Sequence, residues 1–334
     1  MRSLCVLLPL VVTMTAHGST YKKSDHFDGE KFHNPGQNDL KSLFTVLKWK
    51  LAFEAKDWPS HVSNKNYPLR LLTPTEKANV TFINHATFLL QLEGLNILTD
   101  PVYSERVSPF KLIGPKRVRA PGIAFDLLPA IDVVLISHNH YDHLDLATLR
   151  SLDAKYHPLF LVPLGIEKFL KAEGLQNVKE LDWWEEQRIK DVKITFTPAQ
   201  HWSSRTPFDK NETLWGSFYV DNSKTKIYFA GDTGYSTHFK EIRDRLGAPD
   251  LALLPIGAYL PRWFMKVHHM NPEDAVLAHK DLAAIKSIGM HFGTFQLTDE
   301  GIEDPVIDLE KALRAQNLST ETFMVLDQGQ AIAY

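Results

Sequence analysis

Four side chains able to ligate a metal fall within six positions of this 334-residue chain: His138, His140, Asp142 and His143, in Ser137-His138-Asn139-His140-Tyr141-Asp142-His143-Leu144-Asp145. They follow the apolar run Val133-Val134-Leu135-Ile136, which reads as a buried strand. In an extended segment alternate side chains share a face, so His138, His140 and Asp142 project together, and a turn after Asp142 brings His143 round to a second ion. Asp145 then fits as the N-cap of a helix. A catalytic zinc takes three protein ligands and keeps a position for water, so further donors must come from distant segments. Three candidates follow strands or apolar runs, where the loops of a layered α/β scaffold carry function. They are His201 in Pro198-Ala199-Gln200-His201-Trp202, Asp232 in Ala230-Gly231-Asp232-Thr233-Gly234, and His291 after Ser287-Ile288-Gly289-Met290. Any one alone would read as an ordinary loop residue; beside the cluster they complete a ligand set.

The pattern around these residues supplies the elements that hold them. Strands are expected at Val80–Ile83, Thr87–Leu92, Asn96–Thr99, Val133–Ile136, Val192–Thr197, Lys226–Phe229 and Leu251–Pro255. Helices are expected at Leu146–Leu152, Ile166–Glu173, Phe239–Leu246, Pro272–Lys280 and Val306–Gln316. A sandwich of sheets flanked by helices accounts for this order. Residues 71–334 carry that pattern. Residues 19–70 are polar and irregular apart from Leu40, Leu43, Phe44, Leu47 and Leu51, whose spacing predicts an amphipathic helix, docked on the main domain or lying on a lipid surface with Lys48, Trp49 and Lys50 nearby.

Residues 1–18 read as a secretory signal: Met1 and Arg2, an apolar stretch Leu4–Val12 too short to span a bilayer, then Ala16-His17-Gly18. Export to the periplasm or cell envelope is therefore expected. Cys5, the only cysteine, lies inside that signal, so the mature chain has no disulfide and no thiolate ligand. Any metal must be held by imidazole and carboxylate, a set compatible with zinc, iron or manganese. A net charge of −3 with no long basic run gives no footprint for nucleic acid, while fifteen histidines point to imidazole chemistry.

The set His138, His140, Asp142, His143, His201, Asp232, His291, with His-x-His-x-Asp-His intact at His138 to His143, resembles the metallo-β-lactamase superfamily. The resemblance implies a four-layer αββα sandwich in the α/β class and two zinc ions. His138, His140 and His201 would hold one ion, Asp142, His143 and His291 the other, and Asp232 would bridge. Two such ions lower the pKa of a shared water and stabilise the leaving oxygen.

From about Asn84 to Tyr334 the chain is similar to the N-acyl-phosphatidylethanolamine-hydrolysing phospholipase D family, through Leu98-Thr99-Asp100-Pro101, Leu181-Asp182-Trp183-Trp184-Glu185, Ile256-Gly257-Ala258-Tyr259, Pro261-Arg262-Trp263-Phe264-Met265-Lys266 and His291-Phe292-Gly293-Thr294-Phe295. This implies attack on the phosphodiester of a phospholipid at a membrane surface, with the enzyme peripheral to the membrane, releasing N-acylethanolamine and phosphatidic acid. Family members pair as homodimers.

His269 matches a family active-site histidine, suited to hydrogen-bonding a phosphoryl oxygen or protonating the leaving alkoxide; on the residues alone, His268 and His269 read equally as two exposed imidazoles in a loop before a helix. Asp100 is expected to orient a ligand histidine, and His85 to support the site. Tyr259, Arg262, Trp263 and His268 are the candidates for substrate contact, although Arg262, Trp263, Phe264 and Met265 read equally as a buried aromatic loop. The chain departs from the intracellular animal members in its export signal and in His268, where they carry glutamine. Its segment from Asp25 to Pro35 looks like exported bacterial relatives, and would strap the domain. The same site could instead serve a lactone, a cyclic phosphodiester or a nucleotide. A non-catalytic metal-binding envelope protein would need the ligands without an open water position.

Overall fold

The computed structural model describes residues 21–36, 48, 55–72, 77–110 and 112–333. The signal segment and nearly all of the expected amphipathic helix lie outside them.

Two seven-stranded sheets face each other. The first runs β14-β1-β2-β3-β4-β5-β6, formed by Asn79–Asn84 (β1), Thr87–Leu92 (β2), Leu95–Thr99 (β3), Val133–Leu135 (β4), Leu159–Pro163 (β5), Val178–Leu181 (β6) and Ala331–Ala333 (β14). The second runs β13-β12-β11-β10-β9-β8-β7, formed by Glu186–Ile189 (β7), Val192–Thr197 (β8), Ser217–Asp221 (β9), Lys226–Phe229 (β10), Leu251–Pro255 (β11), Lys286–Met290 (β12) and Phe323–Met324 (β13). Helices Leu146–Tyr156 (α1), Ile166–Ala172 (α2), His238–Leu246 (α3), Arg262–Met265 (α4), Pro272–Leu282 (α5) and Asp304–Ala315 (α6), with a 3-10 turn at Phe125–Leu127, complete the described elements. Among the described residues no helix is long and apolar enough to cross a membrane.

The strand period of two builds both cores. Val133 and Leu135 of β4 join the central cluster between the sheets, with Phe82, Phe88, Phe196, Phe218 and Phe229. Val134 and Ile136 point the other way, into a second cluster with Leu149 and Leu152 of α1 and Ile166 and Leu170 of α2. On the far side Phe239, Ile242, Ala275, Leu282, Leu309 and Leu313 lay α3, α5 and α6 on the second sheet. The order is helix, sheet, sheet, helix. A strand buried on both faces is predominantly apolar, which makes the continuous run of β4 legible as a strand.

β3 to β6 are parallel, as are β10 to β13, and β8 runs with β10 because both pair antiparallel with β9. The C-terminal ends of β3, β4, β8, β10 and β12 therefore feed the loops where ligands of open parallel sheets gather. Asp145 caps α1, its side chain accepting from the Thr148 amide and from the amides of Tyr103 and Ser104, which ties the loop after β3 to the helix.

Residues 21–36 lie along the edge of both sheets. Phe27 and Phe32 are buried with rings 4.6 Å apart. Tyr21 donates to Glu180 (2.8 Å). His26 packs on Trp183 and sits between Asp25 (2.7 Å) and Asp182 (2.8 Å). Burial pushes its pKa down, but the hydrogen bonds and charges of Asp182 and Asp25 outweigh this and hold it above the usual 6.5. A raised folded pKa contributes stability that is full below the unfolded value and is lost as pH rises through the folded one. The denaturation midpoint of the native chain should exceed that of His26→Gln most at about pH 6, with the gap closing as pH rises past the unfolded imidazole value and through the raised folded one. A gap independent of pH would mean that His26 stays neutral between its carboxylates.

Candidate metal centre

Asp100 ends β3 in the left-handed region (φ 33°) and is wholly buried. It accepts from the Ser137 amide (2.7 Å), the Ser137 hydroxyl (2.5 Å) and His143 Nδ1–H (2.6 Å). With its O–H engaged by Asp100, Ser137 Oγ accepts from His138 Nδ1–H (2.9 Å). His201 Nδ1–H donates to the His268 carbonyl (3.0 Å). Carboxylates and carbonyls only accept, so these partners place an N–H at Nδ1 and leave Nε2 of His138 and His201 with a free lone pair, while Nε2 of His143 is turned toward Asp142 and Asp232.

The amides of His143 and Leu144 both donate to the His140 carbonyl (3.1 and 2.8 Å). The chain thus turns at His140 instead of staying extended to Asp142, which corrects the alternation expected for His138, His140 and Asp142. His138 and His140 face His201, while Asp142 and His143 swing to another group with His291 and His85.

In the first group His138 Nε2 and His201 Nε2 lie 2.8 and 3.3 Å from His140 Nδ1. In the second, Asp142 Oδ2 lies 3.4 Å from His143 Nε2, 3.3 Å from His291 Nε2 and 3.1 Å from His85 Nε2. Asp232 spans the two, with Oδ1 3.1 Å from His291 Nε2 and Oδ2 3.3 Å from His143 Nε2 and 3.9 Å from His201 Nε2. Donors about 2.1 Å from a tetrahedral zinc lie about 3.4 Å apart, so most of these spacings are those of coordination edges. His143 Nε2 and Asp232 Oδ1 are buried without a hydrogen-bond partner. Buried lone pairs turned on one another call for a cation between them. These residues fit a pair of metal ions.

Electrostatics agree with that fit. Burial pushes His138 well below the usual imidazole range, His140 to about 4 and His201 to about 3. Burial, then the neighbouring His291, takes His85 to about 3. These rings stay neutral, the form that binds metal. At the other group burial is outweighed by Asp232 and Asp142, which hold His143 well up and His291 up to about 9, so these two rings carry protons that a metal ion has to displace between the same carboxylates. Against the same burial, His143 and His291 hold Asp142 and Asp232 well below the carboxylate range.

His269 stands beside the bridge, Nδ1 3.8 Å from Asp232 Oδ2 and within reach of His201; burial holds it neutral, down to about 3. Arg262 does not face open space. Its guanidinium donates to the His269 carbonyl (2.9 Å) and to Asp274 (2.6 Å), so it braces the His269 turn. Tyr259 is buried and donates to Asp308 (2.6 Å), and His268 is buried behind His201. Of the four candidates for substrate contact only Trp263 is exposed (56%), with the Lys48 ammonium 5.4 Å from its ring.

Two braces had no signal in the sequence. Arg205 donates to the carbonyls of Asn139 (2.7 Å) and Leu144 (3.0 Å) at both ends of the cluster loop. Asn34 donates to the His201 carbonyl (2.9 Å). His85 Nε2 lies 3.1 Å from Asp142 Oδ2, the hydrogen-bond distance of a group that orients a ligand carboxylate. It occupies the turn between β1 and β2 with φ 49°, and His291 opposite it has φ 62°. Strained non-glycine residues of this kind gather at functional sites.

Two facing sheets with two adjoining donor sets at one end define a metal-dependent hydrolase of the metallo-β-lactamase fold. The chain belongs to the β-lactamase superfamily: residues 95–292 match the family described as Beta-lactamase superfamily domain. Among its relatives, N-acyl-phosphatidylethanolamine-hydrolyzing phospholipase D 1 of Caenorhabditis elegans is 36% identical over 91% of this chain and 92% of its own. An uncharacterised protein of Mycobacterium tuberculosis is 40% identical over 88% of this chain and 81% of its own. The solved structure of Igni18, a metallo hydrolase from the archaeon Ignicoccus hospitalis, shares the fold at 23% identity, with a TM-score of 0.59 over 77% of this chain and 98% of its own.

Proposed function

We propose that the chain is a dinuclear zinc phosphodiesterase that hydrolyses N-acyl-phosphatidylethanolamine to N-acylethanolamine and phosphatidic acid, working after export at a membrane surface of the cell envelope. The observation that carries this is the bridging position of Asp232 between His201 on one side and His143 and His291 on the other, with His269 beside it. When bound, two zinc ions supply a nucleophile from water at neutral pH and neutralise charge on the phosphoryl oxygens.

The chain's own residues do the rest. His138, His140 and His201 hold one ion, Asp142, His143 and His291 the other, and Asp100 keeps His143 in the required tautomer. His269, neutral and braced by Arg262, is placed to donate an N–H to a phosphoryl oxygen. Beside the cluster loop lies a cleft of about 500 Å³ lined by Phe110, Tyr141, Asp145, Arg106 and Arg205, which suits an anionic headgroup with an apolar continuation. Phe110, Leu112, Ile113 and Phe208 are exposed, an unusual display of large apolar groups that favours a lipid surface.

The test is to measure metal content of the mature chain purified without chelator, then its action on vesicles containing N-acyl-phosphatidylethanolamine and on a soluble phosphodiester, after stripping and reloading with zinc, iron or manganese. About two zinc per chain and release of N-acylethanolamine support the reading. Cleavage of the soluble ester alone moves the substrate to a cyclic phosphodiester or nucleotide, and a chain that takes up no metal ends the proposal.

A further inference from the structure

We propose that Asn34 is a positioning residue for the metal centre, through which the segment 21–36 sets the geometry of His201. The proposal rests on the reading that His201 holds an ion.

The argument begins with what holds the His201 backbone. On its N-terminal side Gln200 is fixed twice: its amide donates to Thr233 Oγ1 (2.9 Å) and its carbonyl accepts from the Gly234 amide (2.8 Å). The His201 ring is fixed by its Nδ1–H on the His268 carbonyl. The carbonyl of His201 itself is bound by Asn34 Nδ2 (2.9 Å), a residue 167 positions away that belongs to neither sheet. Asn34 Oδ1 accepts from Trp215 Nε1–H (3.1 Å), which is also shared with the Ala199 carbonyl (3.0 Å). Trp183 Nε1–H in turn donates to the Trp215 carbonyl (2.7 Å).

This arrangement specifies an amide. An indole N–H only donates and a peptide carbonyl only accepts, so the bridging side chain must accept on one atom and donate from the other, in one orientation. Aspartate would set a lone pair against the carbonyl, and an apolar residue would leave both partners short of a bond. The amide is also held still. Phe27 and Phe32 anchor the segment in the core, the Phe32 amide donates to the Asn211 carbonyl (2.9 Å), and the Asn211 amide donates to the Ser203 carbonyl (2.8 Å), on the loop that leaves His201. A misplacement of a metal ligand by a fraction of an ångström shows as weaker binding, and groups that orient ligands are worth about 10–100-fold in affinity. The three-histidine set is the one that should feel Asn34; Asp142, His143 and His291 are held by other partners.

The experiment uses the full mature chain, stripped and titrated with Co²⁺ and with Zn²⁺ against a chromophoric chelator, so that the two ions are resolved. Asn34→Ala is expected to weaken one ion about 10-fold and leave the other unchanged, with Asn34→Gln recovering part of the loss and Asn34→Asp none. Phe27→Leu loosens the anchor without removing the amide; it should lower the melting temperature and weaken the same ion by less than Asn34→Ala does, leaving the other unchanged. His201→Ala serves as the benchmark and should abolish tight binding of the same ion. Equal affinities in Asn34→Ala and the native chain, or an equal loss at both ions, would reduce Asn34 to an anchor of the segment and overturn the proposal. If His201→Ala itself leaves both ions in place, the assignment of His201 has failed, a result separable from the first because Asn34 is not involved in it.

Discussion

Asp232→Asn lowers turnover by about 10²–10³-fold and leaves the chain with less than its full complement of metal. The amide is nearly the same size, so the packing around residue 232 persists, but it carries no charge and offers one oxygen where two are used. In the native chain Oδ1 faces His291 and Oδ2 faces His143 and His201. One neutral oxygen cannot hold two cations together. Metal analysis beside steady-state rates on a soluble phosphodiester decides the point: two retained ions with near-native turnover would remove Asp232 from the bridge. Circular dichroism of the stripped protein separates a bridging loss from a folding defect: the spectrum should stay native, while the melting temperature falls because His143 and His291 lose the buried carboxylate that offsets their charge.

Gly257→Ala is expected to destabilise the domain by about 3 kcal/mol, or roughly 6–12 °C in melting temperature, and to weaken metal binding as well. Gly257 lies just past β11, where the chain runs against the end of β12. A Cβ there would overlap the carbonyl oxygen of His291 and stand 3.1 Å from its carbonyl carbon and 3.2 Å from Phe292 Cα. All three neighbours are backbone, so none can step aside by changing rotamer. Relief requires the ends of β11 and β12 to part, which carries His291 away from Asp142 and Asp232. A variant that melts like the native chain would show that the β11–β12 junction is softer than its packing implies.

The parts of the site that were legible in the sequence are those whose chemistry is written locally. His138 to His143 declare themselves by density, and His201, Asp232 and His291 by their place just after strands. Their sorting into two groups was not legible from alternation, because the turn at His140 depends on hydrogen bonds that the residue types do not announce. Strand β4 is legible through its continuous apolar run, and β1, β2 and β8 through short runs rich in β-branched and aromatic residues. Strand β7, Glu186–Ile189, is a half-exposed edge with no such run, and β9, Ser217–Asp221, has only Phe218, Tyr219 and Val220 between a serine and an aspartate. Arg262 and Tyr259 looked like groups that greet a substrate, since nothing in sequence reveals that Asp274 and Asp308 already occupy them. Asn34 could not have been singled out at all: an asparagine before a proline reads as a turn, and its partners lie 167 and 181 positions away.

The donor atoms come from the turn after β1, the loops after β4, β8 and β10, and the end of β12, so they span both sheets and most of the chain. No fragment confined to one sheet contains either complete set together with Asp232. Ions therefore bind the native state and have little purchase on the unfolded one, and by mass action each adds free energy of folding that grows with the logarithm of free metal over its dissociation constant. Thermal stability becomes a titration of the centre: a melting temperature that climbs with added metal reports occupancy even when no substrate is in hand.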